Sequence, residues 1–166
     1  MSAPVSHTPT LLKDIAVLFK LRLGTFVVLS AVLGWFMGTE SIGLVPFLEL
    51  TVGGYLLTGA SNGFNQIIER EADAKMGRTA GRPLPTGRMS VRQAATWSTL
   101  AGLLGLAALF DLGIRAGLLG LLALGSYVLA YTPLKSRTGF SVLVGAIPGA
   151  IPPMLGYVAA TGRFGI

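Results

Sequence analysis

The sequence has 166 residues, a net charge of +6, a mean hydropathy of +0.68 and only 12% charged side chains. That composition excludes an ordinary soluble domain and points to a chain whose solvent is the lipid bilayer. The absence of cysteine excludes disulfides, thiolate metal sites and a cysteine nucleophile, so any chemistry falls to oxygen and nitrogen groups.

Residues 1–10, with Pro4, Pro9 and small polar side chains, read as a disordered tail, and His7 within it as a solvent residue. Across 11–22, Ile15, Leu18 and Phe19 recur at roughly helical spacing among Lys13, Lys20 and Arg22, which predicts an amphipathic segment lying in the membrane interface. Uncharged runs follow at 23–39, 50–68, 93–110, 116–134 and 138–162. Each approaches the roughly 20 residues that a helix needs to cross the hydrocarbon core. The runs are rich in Leu, Ala, Gly and Val without alternation, which favours buried helices over barrel strands. Residues 23–166 are therefore expected to form an all-α membrane protein, a bundle of about five transmembrane helices. The first run lacks a small-residue cleavage pattern and is read as a retained helix.

Small residues four apart, such as Gly34/Gly38, Gly59/Gly63, Gly113/Gly117 and Gly145/Gly149, predict close helix packing. Pro148, Pro152 and Pro153 are expected to break or kink the last span, and a broken helix at membrane depth usually lines a cavity. Basic residues crowd the ends of alternate spans, with Arg115 and Arg163 alone on the other side. This positive-inside bias places the N-terminus and the 62–92 loop in the cytoplasm, and it accounts for the net charge without a nucleic-acid partner. Glu40, Glu49 and Asp111 fall at the opposite ends of the spans and read as interfacial.

The stretch 62–92 turns abruptly polar. Asn65, Glu69 and Asp73 stand at i, i+4 and i+8 and share one face of a continuing helix. Two carboxylates so placed repel each other unless a cation lies between them. Magnesium suits them, because it takes hard oxygen ligands and completes its shell with waters and substrate phosphates. Lys75, Arg78 and Arg82 follow closely, and such bases bind phosphate oxygens. Together they make a diphosphate clamp at the mouth of an apolar bundle, suited to an isoprenyl diphosphate. A salt-bridged, lipid-facing loop around Glu69, Arg70 and Glu71 is the alternative reading of the same residues.

The run Asn65-x-x-x-Glu69-x-x-x-Asp73, continued by Lys75-Met76-x-Arg78-Thr79-x-x-Arg82-Pro83-Leu84, resembles the first acidic motif of the intramembrane aromatic prenyltransferases, which most often carry Asp where this chain has Glu69. Within that superfamily the heme O synthases are the most similar branch, through Asn65-Gln66 followed by Glu69-Arg70. The segments 131–138 and 145–156 resemble the same branch, and the resemblance covers residues 13–157. It implies transfer of a farnesyl group from farnesyl diphosphate to a vinyl group of heme B in a bacterial inner membrane, with possible contact to heme-oxidase maturation proteins. By position it assigns Asn65, Glu69 and Asp73 to catalysis and to magnesium shared with the diphosphate. Lys75, Arg78 and Arg82 would touch the phosphates, with Asn62 and Lys135 as further candidates, while Tyr131 would pack at a helix end.

That fold has nine helices and a second acidic motif in a later loop, neither of which this sequence reaches. The resemblance therefore implies an N-terminal portion, inactive alone. Two other functions remain open at the level of sequence: prenylation of an aromatic quinone precursor by the same clamp, and a transporter portion whose proline-rich helix lines a solute path.

Overall fold

The computed structural model describes residues 11–39, 41, 43–135 and 137–165. The expected tail at 1–10, His7 within it and Glu40 lie outside the described residues. Helices make up the fold: α1 (Leu11–Phe19), α2 (Leu21–Gly38), α3 (Leu44–Lys75), α4 (Val91–Asp111), α5 (Ile114–Gly125), a π-helical turn at Ser126–Tyr131, α6 (Thr132–Lys135) and α7 (Ser141–Thr161). Five spans are long and apolar enough to cross a membrane: α2, α3, α4, the continuous stretch Ile114–Lys135, and α7. The chain is an integral membrane protein.

Helix α3 extends well past its uncharged core in both directions, to 32 residues. At about 1.5 Å per residue it is roughly 48 Å long, against a hydrocarbon thickness near 30 Å. Charge marks where the hydrocarbon ends, but Glu, Arg, Ala and Lys all favour helix, so the backbone stays helical through the motif as far as Lys75. The motif is thus held on a rigid helix longer than the hydrocarbon is thick.

Helix α3 packs along α4, and α2 along α7. Gly34 and Gly156 let α2 and α7 approach until a Cβ on either would collide with the opposing backbone at Pro153 or Ala31. Gly113, by contrast, is no packing residue, because it turns the chain between α4 and α5 at φ 140°. The core joins Trp35, Leu50, Leu57, Leu109, Ile151 and Leu155, and a smaller cluster of Leu18, Met89 and Ala94 seats α1 beneath the 76–90 loop.

The last span is not broken: α7 runs helical through Pro148, Pro152 and Pro153. A proline removes only its own N–H from the ladder, so the surrounding turns carry the helix onward. The carbonyls deprived of a donor are those of Val144, Pro148 and Gly149, and both Pro148 and Gly149 line a cavity. The chain pairs across the bundle show which ends lie together. Contacts among Asp14, Lys20, Asn65, Glu69, Arg88 and Lys135 gather the basic ends at one face, while Arg115 donates to the Gly162 carbonyl at the other.

Candidate functional site

At the basic end, each oxygen-bearing residue of the α3 motif faces a cation from a different part of the chain. Lys20 Nζ donates to Asn65 Oδ1 at 3.5 Å. Lys135 Nζ stands 3.2 Å from Glu69 Oε1, and Arg82 Nη1 stands 2.6 Å from Asp73 Oδ2. The three partners come from the α1–α2 junction, the end of α6 and the 76–90 loop respectively. Asn65 and Asp73 are buried, at 1% and 4% exposure.

The loop reaches the site because it is fixed at several points. Thr79, itself buried, donates its hydroxyl to the Asp73 carbonyl at 2.8 Å and closes the end of α3. Turns through Thr79 and Pro83 bring Arg82 back over Asp73. The Arg88 guanidinium grips Asp14 of α1 through Nε and Nη2, both at 3.1 Å from Oδ1, and Nη2 also donates to the Gly81 carbonyl. Ser90 and Gln93 then start α4 with a reciprocal capping box.

Lys20 was legible in the sequence only as one more membrane-end base, yet the structure puts it at the centre of this group. Burial holds its ammonium below the ordinary lysine range, and the nearby charges of Arg82 and Lys135 push it further down, opposed by Glu69 and Asp73. A concentration of positive charge this tight is what an anion with several oxygens would relieve.

The other expected residues are placed as follows. Lys75 and Arg78 are exposed and make no ion pair among the described residues. Arg70 pairs with Glu71 at 3.1 Å on the exposed side of α3, away from the clamp residues. Asn62 is buried, and its Nδ2 donates to the carbonyls of Thr58 and Phe19, while its Oδ1 has no partner among the described residues. Asn65 Nδ2 likewise lacks a partner among them.

Beside the charged group opens a cavity of about 670 Å³ between α2, α3, the π-helical turn and α7. Its polar rim carries Ser61, Asn62, Tyr127, Tyr131, Lys135 and Ser141, and its depth is lined by Leu50, Leu57, Leu109, Ile151 and Leu155. Asn62 and Leu50 lie on the same helix, so the cavity runs roughly 18 Å inward at about 1.5 Å per residue. Tyr131 does pack, against Gly145 and with its ring 5.3 Å from that of Tyr127, but both rings also face the cavity. The π-helical turn that carries them is closed by Thr132, which donates to the Tyr127 carbonyl at 2.8 Å, and such turns recur at functional sites.

Among the described residues no three His, Cys, Asp or Glu side chains converge. The oxygen donors of α3, one turn apart along a single face, nevertheless suit magnesium, which needs only one or two protein carboxylates when phosphates and waters complete its shell.

The chain is 48% identical along its whole length to a protoheme IX farnesyltransferase of Christiangramia forsetii, covering 56% of that protein. It is 43% identical over 95% of its length to the Flavobacterium psychrophilum protein of the same name, covering 53% of it. The chain thus spans about half the length of the curated relatives it matches. In fold it resembles a digeranylgeranylglyceryl phosphate synthase structure, with a TM-score of 0.81 at 20% identity over 89% of this chain and 53% of that one. It also resembles an Archaeoglobus fulgidus UbiA homologue bound to GPP and Mg2+, with a TM-score of 0.72 at 21% identity over 92% of this chain and 54% of that one. Residues 25–166 match the UbiA prenyltransferase family, and the chain belongs to that family.

Proposed function

We propose that this chain forms the prenyl-diphosphate half of an enzyme that transfers a farnesyl group from farnesyl diphosphate to a vinyl group of heme B, giving heme O. One observation carries the reading: a deep apolar cavity opens directly beside a cluster where Lys20, Arg82 and Lys135 converge on Asn65, Glu69 and Asp73. A molecule with a charged head and a greasy tail matches both parts at once. Heme B as acceptor rests on the relatives named protoheme IX farnesyltransferase, and magnesium on the family's structures with prenyl diphosphates.

The ion pairs explain how the site accepts its substrate. An arriving diphosphate draws Lys20, Arg82 and Lys135 to its oxygens. Asn65, Glu69 and Asp73 are released as they lose those partners and would hold magnesium, which when bound would supply positive charge to the diphosphate oxygens. When the bond between the prenyl carbon and oxygen breaks, its electron pair departs with the diphosphate, and the three bases stabilise that developing charge. The allylic cation left behind lies in a cavity whose apolar walls keep water from it, with the rings of Tyr127 and Tyr131 at the rim, until the π electrons of the acceptor's vinyl group form the new carbon–carbon bond; the cation this leaves on the vinyl carbon is quenched by a water molecule that gives up a proton. Lys75 and Arg78, exposed beyond the rim, are placed to draw the anionic head in from solution. The basic end, including the 62–92 stretch, faces the cytoplasm of a bacterial inner membrane on the positive-inside rule.

The reading is tested with membranes in which the chain is joined to the remaining half of the Christiangramia forsetii relative and supplied with farnesyl diphosphate, magnesium and either heme B or 4-hydroxybenzoate. Heme O is the expected product. Prenylated 4-hydroxybenzoate with untouched heme B would contradict it.

A further inference from the structure

Lys20 is the only residue other than glycine with a positive φ among the described residues, at φ 49° and ψ 54°. A left-handed residue after a helix end is ordinarily glycine, because a side chain there crowds the following carbonyl. Here the position instead carries a lysine whose ammonium points into the charged cluster. Something must hold that backbone, and the end of α1 shows what does.

The last carbonyls of a helix have no partner within it. In α1 they are taken by two side chains of α3. Gln66 Nε2 donates to the Leu18 carbonyl at 2.7 Å and to the Val17 carbonyl at 3.1 Å. Asn62 Nδ2, one turn earlier on the same face, donates to the Phe19 carbonyl at 3.3 Å. Both side chains are buried, at 1% and 2% exposure, and Gly59 below them leaves room for the Phe19 ring to lie flat on α3. The chain then turns at Lys20 and enters α2, with the Leu23 and Gly24 N–H groups returning to the Lys20 carbonyl.

We infer that Gln66, assisted by Asn62, is a positioning residue that caps α1 from outside and so fixes the left-handed turn that aims Lys20 at the diphosphate site. This deepens the proposed function and rests on it. Gln66 neighbours the motif residue Asn65 but acts two and three residues before the lysine, on the carbonyls of Leu18 and Val17. Asn65 meets the Lys20 ammonium, and Gln66 meets the backbone that delivers it. Of these two adjacent α3 residues, one thereby holds the Lys20 ammonium and the other the helix end that leads into it.

The test uses the 166-residue chain in nanodiscs and reads two quantities, binding of inorganic diphosphate with magnesium and thermal unfolding. Lys20→Gly relieves the left-handed strain and removes the ammonium, so it is expected to raise the unfolding temperature by about 2–4 °C while weakening diphosphate about tenfold. Lys20→Arg, which keeps the cation, is expected to retain most of the binding. Gln66→Leu, which keeps bulk but loses both donated hydrogen bonds, is expected to weaken diphosphate by a similar factor. In the Lys20→Gly background the same change is expected to have no further effect on binding, because its target is gone. Independent, multiplying losses in the double variant would overturn the inference, as would a Gln66→Leu chain that binds like the unmodified one. Should Gln66→Leu fail to fold, the lysine variants decide: Lys20→Gly with undiminished binding or a lowered unfolding temperature overturns the inference. Failure of the unmodified chain to bind diphosphate would overturn the inference and the proposed function together, whereas binding without coupling overturns the inference alone.

Discussion

Arg82 Nη1 lies 2.6 Å from Asp73 Oδ2, with the carboxylate side chain only 5% exposed and the guanidinium 22%. This pair ties the end of α3 to the loop that follows it, so it joins the acidic and basic halves of the clamp before any substrate arrives. Removing one partner of a buried pair strands the other charge. Arg82→Ala is therefore expected to destabilise the chain by about 2–3 kcal/mol, read by thermal unfolding in detergent. Arg82→Ala combined with Asp73→Asn is expected to recover about half of that loss, since no ionised carboxylate remains stranded. Equal stability of the single and double variants would show that the pair is not what holds the loop.

Lys135 and Glu69 make the contrasting case. Their ion pair at 3.2 Å is open to solvent on the lysine side, 48% exposed. Pairs of that kind contribute little to stability. Lys135→Ala is expected to change unfolding by less than about 0.5 kcal/mol and yet to weaken binding of magnesium diphosphate about tenfold, through loss of a charge-assisted contact. Titration calorimetry on the two proteins separates the effects.

The grip of Arg88 on Asp14 predicts a mechanical role away from the phosphates. Asp14→Asn is expected to loosen the 76–90 loop from α1 and to raise amide hydrogen exchange in that loop about tenfold, leaving exchange in the α7 core unchanged. Uniform acceleration across the chain would mean that Asp14 supports the whole fold instead.

The cavity yields a prediction that separates head from tail. A Cβ on Gly149 would meet nothing within 4 Å, so a side chain there grows into the open cavity. Gly149→Leu is expected to fold normally and to weaken farnesyl diphosphate about tenfold by displacing buried apolar tail, with inorganic diphosphate bound as before. Competition between the two ligands on one preparation gives the comparison directly.

How much of this was readable in advance follows from the physics of each feature. The five spans were legible because charges cannot sit cheaply in hydrocarbon, so their positions mark its limits. The grouping of Asn65, Glu69 and Asp73 on one face was legible because helical spacing is local and α3 stays helical to Lys75. The ends of α3 were not drawn, because charge reports the membrane boundary and not the helix boundary. The role of Lys20 was hidden because it depends on a left-handed backbone and on contact with Asn65, a residue 45 positions away. The part played by Gln66 was hidden for the same reason, although a signal existed: Asn62, Asn65 and Gln66 are polar residues in an otherwise apolar span, and buried polar groups need partners. The cavity could not be drawn from any single segment, since its walls come from seven separate elements.

The central claim is that the α3 carboxylates and the cations facing them hold a magnesium-bound prenyl diphosphate. It is tested most directly by equilibrium binding of radiolabelled farnesyl diphosphate to the chain in nanodiscs, with and without magnesium, before and after the combined change Glu69→Gln and Asp73→Asn. The predicted result is binding that requires magnesium and falls at least about tenfold in the variant. Binding that is indifferent to magnesium and undiminished in the variant would contradict it.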